Sequence, residues 1–231
     1  MKILVDIGNT HTEFAQLSKN TLLPIAVFPT FELQDRFNAL HFEKKTEFYI
    51  ASVIPKMHPI FQDYPLLHFI NYSLIPTLKI DLPQPDQIGI DRLLTALGAY
   101  TLIQGACLII DSGTATTLNY VDETATFQGG IILPGFDMAT KALHQFTAQI
   151  PMIKIEPDIN LVGKNTKEAV QIGLFQGMSY ALNGFIASFK QKKVTVIGTG
   201  TGLSLIKDSV NLDQFEPNLL MIGLKICALT L

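Results

Sequence analysis

Charged side chains are scarce in this 231-residue chain, at 16% of the total, and the formal net charge is only −3. That balance gives no overall basic field to hold nucleic acid or an anionic membrane, while leaving room for a local cationic pocket. Cysteine is nearly absent. Cys107 and Cys227 form no CxxC pair, and Cys107 sits in an apolar run. Both read as small core residues rather than disulfide partners or metal ligands, which fits a reducing compartment. Long apolar runs are missing too, because Gly, Asp, Pro or Lys breaks each one within about ten residues, well short of a membrane span. The N-terminal MKILVDIGNT reaches Asp6 too early for a signal peptide. The expectation is a soluble, cytoplasmic protein. His41, His58, His68 and His144 lack metal-ligand spacing, and no Ser/His/Asp signature is present.

Apolar side chains are plentiful, at 48%. A chain of this kind can bury a sizeable core and is a poor candidate for disorder. Its length suits one large domain or two lobes of about 100 to 150 residues. Lys2 to Val5, Thr12 to Leu17, Glu47 to Val53, Cys107 to Ile110, Thr114 to Val121 and Lys193 to Ile197 read as strands, with Phe69 to Tyr72 and Leu78 to Ile80 as short ones. Residues 54–88, punctuated by Pro55, Pro59, Pro65 and Pro76, read as strand and loop with at most short helices. Helical spacing covers Asp91 to Tyr100, Asp137 to Phe146, Lys164 to Phe189 and Leu219 to Leu231. Gly129 to Gly135 is expected to form a glycine-rich turn closed by Pro134 and Gly135.

One pattern occurs twice. An apolar strand followed by Asp, any residue, Gly and two small residues appears at Asp6-Ile7-Gly8-Asn9-Thr10 and again, half a chain later, at Asp111-Ser112-Gly113-Thr114-Ala115. A carboxylate ending a buried strand is costly unless it meets a cation or hydrogen-bond donors. Gly8 lets the backbone bend, and Asn9 and Thr10 add short polar groups and backbone N–H donors. Such a turn can hold a metal–phosphate unit, the Asp toward Mg²⁺ or its waters and the amides toward phosphoryl oxygens. A single copy would also be an ordinary Asp-Gly hairpin. Repetition once per half favours phosphate binding and suggests two similar lobes facing a shared cleft. Ser112, Thr114, Thr116 and Thr117 add hydroxyls to the second copy, although β-strands are rich in threonine in any case.

Three further segments carry chemistry less specifically. Gly198-Thr199-Gly200-Thr201-Gly202 follows the strand KVTVI and would let backbone approach an anionic or flat ligand. It is neither a dinucleotide fingerprint nor a Walker A loop, but beside the two Asp turns it can supply the nucleoside side of an ATP site. Gly89-Ile90-Asp91-Arg92 opens a helix, so Asp91 is either a cap or a general base accepting a hydroxyl proton in phosphoryl transfer. Arg92 could then hold a carboxylate or phosphoryl oxygens. Gly129 to Gly135 is either structural or a backbone wall beside the ligands. His11 lies within the first turn and could touch ligand.

Taken in order, DIGNT at 6–10, GIDR at 89–92, DSGTATT at 111–117, GGIILPG at 129–135 and GKNT at 163–166 resemble the motifs of type III pantothenate kinases. These belong with acetate kinase, sugar kinases, Hsp70 and actin-like ATPases. The resemblance runs through nearly the whole chain and implies an α/β fold of two ribonuclease-H-like lobes, mixed sheets flanked by helices with a cleft between. The lobes are expected at 1–88 and 89–231, with the C-terminal helix able to pack back on the first. The resemblance further implies ATP-dependent phosphorylation of pantothenate to 4'-phosphopantothenate, opening coenzyme A biosynthesis. By the same carry-over Asp6, Ile7, Gly8, Asn9, Thr10, His11, Thr12 and Glu13 bind ATP, with Asp6 managing Mg²⁺. Asp91 is the proton acceptor. Gly89, Ile90, Asp91, Arg92 and Thr166 contact pantothenate. Thr114 touches ATP, and Asp111 ligates a monovalent cation, K⁺ or NH₄⁺. Relatives are homodimers, and the expected partners are ATP and pantothenate, with neither nucleic acid nor membrane.

Two positions depart from the family pattern. Leu82 stands where a Tyr is usual, and Gln84-Pro85 replaces Asn-Pro, which bears on the acceptor pocket more than on phosphoryl transfer. Another acceptor within the superfamily is the alternative enzymatic reading. A regulatory protein on the same scaffold, like relatives of the Bvg accessory factor, is the non-catalytic one. Retention of both Asp91 and Asp111 speaks against the latter.

Overall fold

The computed structural model describes residues 1–157 and 160–231. In chain order the strands and helices are β1 (Lys2–Ile7), β2 (His11–Ser18), β3 (Thr21–Pro29), α1 (Leu33–Ala39), β4 (Glu47–Ser52), β5 (Leu66–Phe69), β6 (Lys79–Ile80), α2 (Ile90–Ile103), β7 (Cys107–Ser112), β8 (Ala115–Val121), β9 (Thr126–Pro134), α3 (Phe136–Phe146), α4 (Thr166–Phe189), β10 (Thr195–Thr199), α5 (Thr201–Ile206), β11 (Gln214–Phe215) and α6 (Leu219–Thr230). They divide into two units, Met1–Leu102 with Asn218–Leu231, and Ile103–Pro217.

In the first unit the strand order is β3-β2-β1-β4-β5. β1 pairs antiparallel with β2 and parallel with β4, while β2 pairs antiparallel with β3 and β4 pairs parallel with β5. Side chains alternate across the pleat. Ile3, Val5 and Ile7 therefore share one face, against Phe14, Phe28, Phe37, Phe48 and Phe61 in a single buried cluster. Phe14 stacks on Phe28 at 5.7 Å between centroids, while Phe37 meets Phe61 tilted at 4.7 Å and Phe48 meets Tyr64 edge-on at 4.9 Å. Pairs of this kind add about 0.5–1.5 kcal/mol beyond the area they bury.

Lys2, Leu4 and Asp6 occupy the opposite face. Helix α6 packs against β1 and β4, and Lys2 Nζ donates to the Ala228 carbonyl at 2.9 Å while lying 4.9 Å from the centre of the Tyr49 ring. A cation bonded to a carbonyl in the last turn of a helix meets the negative end of its dipole. Helices α2 and α6 touch backbone to backbone. A β-carbon on Gly98 would strike the Leu219 carbonyl, and one on Gly223 would strike the Leu94 carbonyl. Glycine at these two positions sets the height of α2, the helix that carries Asp91.

The second unit repeats the design. Its strand order is β11-β10-β7-β8-β9. β7 pairs antiparallel with β8 and parallel with β10, β8 pairs antiparallel with β9, and β10 pairs parallel with β11. Leu108, Ile110 and Leu118 pack with Phe175, Leu182 and Ile186 of α4 and Leu203 and Ile206 of α5 in one cluster. The chain is thus α/β, with a mixed sheet in each unit.

The structure corrects three sequence expectations. Residues 129–135 are not a turn: Gly130 to Leu133 belong to β9 and pair with β8, down to Pro134 opposite Ala115. Two residues, Gln128 and Gly129, stand opposite Tyr120, and Gly129 takes φ +97°. The glycines therefore serve a β-bulge in a strand. Strand β5 ends at Phe69, and Tyr72–Leu74 is a short 3₁₀ turn capped by Asn71, whose Oδ1 accepts from Ser73 N at 2.9 Å. Strand β3 has no counterpart among the expected strands. Pro24 lies within it, which is tolerated because β3 is an edge strand and its register shifts there.

Both cysteines are free and fully buried. Burial pushes the thiols of Cys107 and Cys227 up to about 12. Neither should react with a chromogenic disulfide reagent at neutral pH in the native protein, and both should titrate once it is unfolded. Rapid modification of either thiol before unfolding would contradict the packing of β7 or α6. Among the described residues, no helix is long and apolar enough to cross a membrane.

Candidate active site

The first Asp turn links β1 to β2. Asp6 lies opposite Glu13, and Ile7 opposite Thr12. Opposed residues of an antiparallel pair project from the same face, so Asp6 and Glu13 place two carboxylates on one side of the sheet. Gly8 N donates to the His11 carbonyl at 3.0 Å, closing the turn. Asn9, Thr10 and His11 are exposed, whereas Thr12 is fully buried. Thr30, just past β3, anchors the turn from below. Its amide donates to the Thr10 carbonyl at 2.9 Å and its hydroxyl to the Gly8 carbonyl at 2.7 Å.

Burial raises the Glu13 carboxyl above its ordinary value. The folded chain therefore holds this proton more tightly than the unfolded chain. The resulting stability is complete below the unfolded value of 4.5 and is lost as pH rises through the raised folded value. Glu13→Gln should melt at a higher temperature than wild type at pH 7, with the difference shrinking toward pH 4. Melting curves across that range test this, and a Glu13→Gln protein less stable at pH 7 would contradict it. A bound cation that neutralises Glu13 should close the same gap.

The second turn joins β7 to β8. Asp111 lies opposite Thr117 of β8 and beside Thr199 of β10, and Ser112 opposite Thr116. It is one residue shorter between paired strands than the first turn. The buried hydroxyls of Ser112 and Thr116 bond at 2.7 Å. The glycine loop after β10 lies directly against it. Gly200 has φ +90°, and a β-carbon there would stand 2.5 Å from the Ser112 carbonyl oxygen and 2.7 Å from Asp111 Oδ1. Only glycine serves both the left-handed backbone and the close approach. Gly135 N donates to the Thr114 carbonyl at 3.1 Å, so the end of β9 also borders this turn. Asp111, Thr114, Gly135 and the 198–202 loop thus form one cluster rich in oxygen atoms and backbone.

Asp91 stands in the first turn of α2. Its Oδ1 accepts from the Arg92 amide at 2.9 Å, and its carbonyl accepts from the Thr95 hydroxyl at 2.7 Å. Both cap and base readings of this residue fit that placement. The Arg92 guanidinium is lowered from its usual value by burial, against the opposing pull of Asp91. A half-buried cation of this kind favours an anionic ligand. Thr166 is the first residue of α4. Asn165 caps that helix, its Oδ1 accepting from Glu168 N at 3.0 Å, while the Glu168 carboxylate accepts from Lys164 N at 2.7 Å and Asn165 Nδ2 at 2.8 Å. This is a reciprocal capping arrangement, and it explains GKNT locally. Thr166 also lines an open recess of about 550 Å³ with Leu143, Ile150, Lys164 and Leu174.

The family model described as type III pantothenate kinase matches residues 2–188. The chain belongs to the type III pantothenate kinase family. A type III pantothenate kinase from Cytophaga hutchinsonii is 31% identical over 211 residues, covering 90% of this chain and 89% of the relative. One from a Sulfurihydrogenibium species is 31% identical over 246 residues, covering 97% and 98%. Among solved structures, a Campylobacter jejuni protein named for the Baf family of transcriptional activators superposes with a TM-score of 0.67 at 18% identity, over 99% of this chain and 98% of the other. The archaeal actin homologue Ta0583 gives 0.55 at 9% identity, over 100% and 99%. These two likenesses concern the fold alone, which is actin-like.

The residues that mark a type III pantothenate kinase in this sequence sit at strand ends, in the turns between strands, at helix starts and, for 129–134, within β9. Thr30 carries no such mark. Its only sequence signal is a Pro-Thr pair ending an apolar run, and its partners Gly8 and Thr12 are far away in the chain.

Proposed function

We propose that this chain transfers the γ-phosphoryl group of ATP to the terminal hydroxyl of pantothenate, releasing ADP and 4'-phosphopantothenate at the start of coenzyme A biosynthesis. Membership of the family over residues 2–188 is the observation that carries the reading. The repeated Asp turn supplies its chemistry. In this reading the amides of the exposed turn, Asn9 to His11, hold phosphoryl oxygens, and Thr114 contacts ATP from the second turn. Asp6 and Glu13, two oxygen donors on one sheet face with Glu13 desolvated, fit a hard divalent cation. Mg²⁺ bound with ATP compensates the charge of the triphosphate. Asp111, with the Ser112 carbonyl beside it, fits K⁺ or NH₄⁺.

Asp91 orients the acceptor hydroxyl and takes its proton as the oxygen bonds to the γ-phosphorus and the bond to the β,γ-bridging oxygen breaks. Positioning does most of the work in such a transfer. Arg92 pairs with the carboxylate of pantothenate, and Gly89, Ile90 and Thr166 complete its contacts. A homodimer through α4 belongs to the same reading. Gly173, Gly177 and Gly184 have open space at the β-carbon position, and Tyr180 on that helix is 61% exposed. The cytoplasm is the proposed location.

A coupled ADP assay with pantothenate and a panel of sugars and hydroxy acids tests the acceptor. ADP formation should depend on pantothenate and be faster in K⁺ or NH₄⁺ than in Na⁺. Equal rates in all three salts would remove Asp111 from cation binding. Turnover with another acceptor alone would replace pantothenate, and ATP binding without turnover on any acceptor would favour the regulatory reading.

A further inference from the structure

We infer that Thr30 is a positioning residue for nucleotide binding, setting the direction of the backbone amides in the first phosphate turn. The inference rests on the proposed role of that turn in holding ATP. Thr30 is 3% exposed and belongs to neither strand of the hairpin it supports. It reaches the turn three times. Its amide donates to the Thr10 carbonyl at 2.9 Å, its hydroxyl donates to the Gly8 carbonyl at 2.7 Å, and its Oγ1 lies 3.1 Å from Thr12 Oγ1. The Thr30 proton is committed to Gly8, so the fully buried Thr12 hydroxyl is the donor in the third bond. The result is a relay of hydroxyls from Thr12 to Thr30 to the Gly8 carbonyl.

The consequence follows from peptide geometry. The peptide unit is planar, and there is no cis peptide in the chain's described residues. In a trans peptide the carbonyl of one residue and the N–H of the next point in opposite directions. Thr30 draws the Gly8 and Thr10 carbonyls toward itself. The N–H groups of Asn9 and His11 are thereby turned away from Thr30, in a turn whose residues 9–11 are exposed. Neighbouring backbone amides turned outward in this way can receive phosphoryl oxygens. Without the Thr30 hydroxyl, the Gly8 carbonyl loses its buried donor, and its peptide is free to rotate toward solvent and swing the Asn9 amide away.

The test compares Thr30→Val, which keeps shape but removes the hydroxyl, with Thr30→Ser, which keeps the hydroxyl and removes a methyl. The readouts are calorimetric affinity for MgATP, melting temperature, and separate KM values for ATP and pantothenate. Thr30→Val should bind MgATP at least tenfold more weakly and raise KM for ATP by a similar factor, with KM for pantothenate within about threefold of wild type, a range expected of an interaction confined to one ligand. Thr30→Ser should restore MgATP affinity to within threefold of wild type while still melting lower, since it leaves a small void. Wild-type affinity in Thr30→Val overturns the inference. Equal weakening in both variants also overturns it, because the hydroxyl would not be the agent. If Thr30→Val fails to fold, Thr30→Ala carries the same comparison with Thr30→Ser. Because MgATP binding is read directly, a wild-type protein that binds ATP yet phosphorylates no pantothenate defeats the functional proposal without deciding this one.

Discussion

Asp91→Asn is expected to lower kcat by about 10²–10⁴-fold, the range typical of losing a positioned general base. The melting temperature should stay near wild type. The asparagine side-chain oxygen can still accept from the Arg92 amide, which Asp91 Oδ1 holds at 2.9 Å, and the Thr95 bond goes to the backbone carbonyl and is unaffected. A pure cap role predicts the reverse: a modest loss of stability of about 0.5–2 kcal/mol for a full cap removal and little change in turnover. Asp91→Asn and Asp91→Ala together separate the two roles. If Asp91 is the base, both variants lose turnover alike and only the alanine variant loses stability. Wild-type turnover in Asp91→Asn would remove Asp91 from proton transfer. Because phosphoryl transfer has a loose transition state with late proton movement, a loss at the lower end of the range is still consistent with the role.

Gly223→Ala should be the most damaging single methyl in the first unit. The added carbon would strike the Leu94 backbone carbonyl, and no rotamer change can relieve a clash between two main chains. Helices α2 and α6 must separate, at a cost of about 3 kcal/mol or more, the upper range for overpacking. For a chain of this size that corresponds to a fall of roughly 6–12 °C in melting temperature. Gly98→Ala, which meets the Leu219 carbonyl across the same contact, should behave similarly. The double variant should lose less than the sum, because one separation of the helices relieves both clashes. Since α2 carries Asp91, activity should fall with stability. Thermal melts of the three variants check this, and unchanged melting in Gly223→Ala would show that the helices do not meet there.

Much of this architecture is written in the sequence. The two Asp-x-Gly turns mark hairpins because a strand ending in Asp and Gly can do little else, and their half-chain offset foretells the repeated strand order seen in both sheets. The helical spacing of Leu93, Leu94 and Leu97 reveals α2. Other elements were hidden for physical reasons. Strand β3 was obscured because Pro24 argues against a strand unless the strand is known to lie at an edge, which is a tertiary fact. The 129–135 segment reads as a turn because glycines that serve a bulge look the same as glycines that serve a turn. The site shows the same division. Asp6, Asp91 and Asp111 stand out as carboxylates at element ends. Thr30 does not, because its partners lie 18 and 22 positions away, and a hydroxyl directed at a distant carbonyl leaves no local pattern.

The central claim is that this chain moves a phosphoryl group from ATP to an alcohol of pantothenate, using Asp91 as base. Mass-spectrometric analysis of purified protein incubated with MgATP and pantothenate in a potassium buffer addresses it most directly. The account predicts 4'-phosphopantothenate formed in step with ADP by the wild-type chain, at an initial rate about 10²-fold or more above that of Asp91→Asn. ADP accumulating with no phosphorylated pantothenate, or equal initial rates of product formation by both proteins, would contradict it.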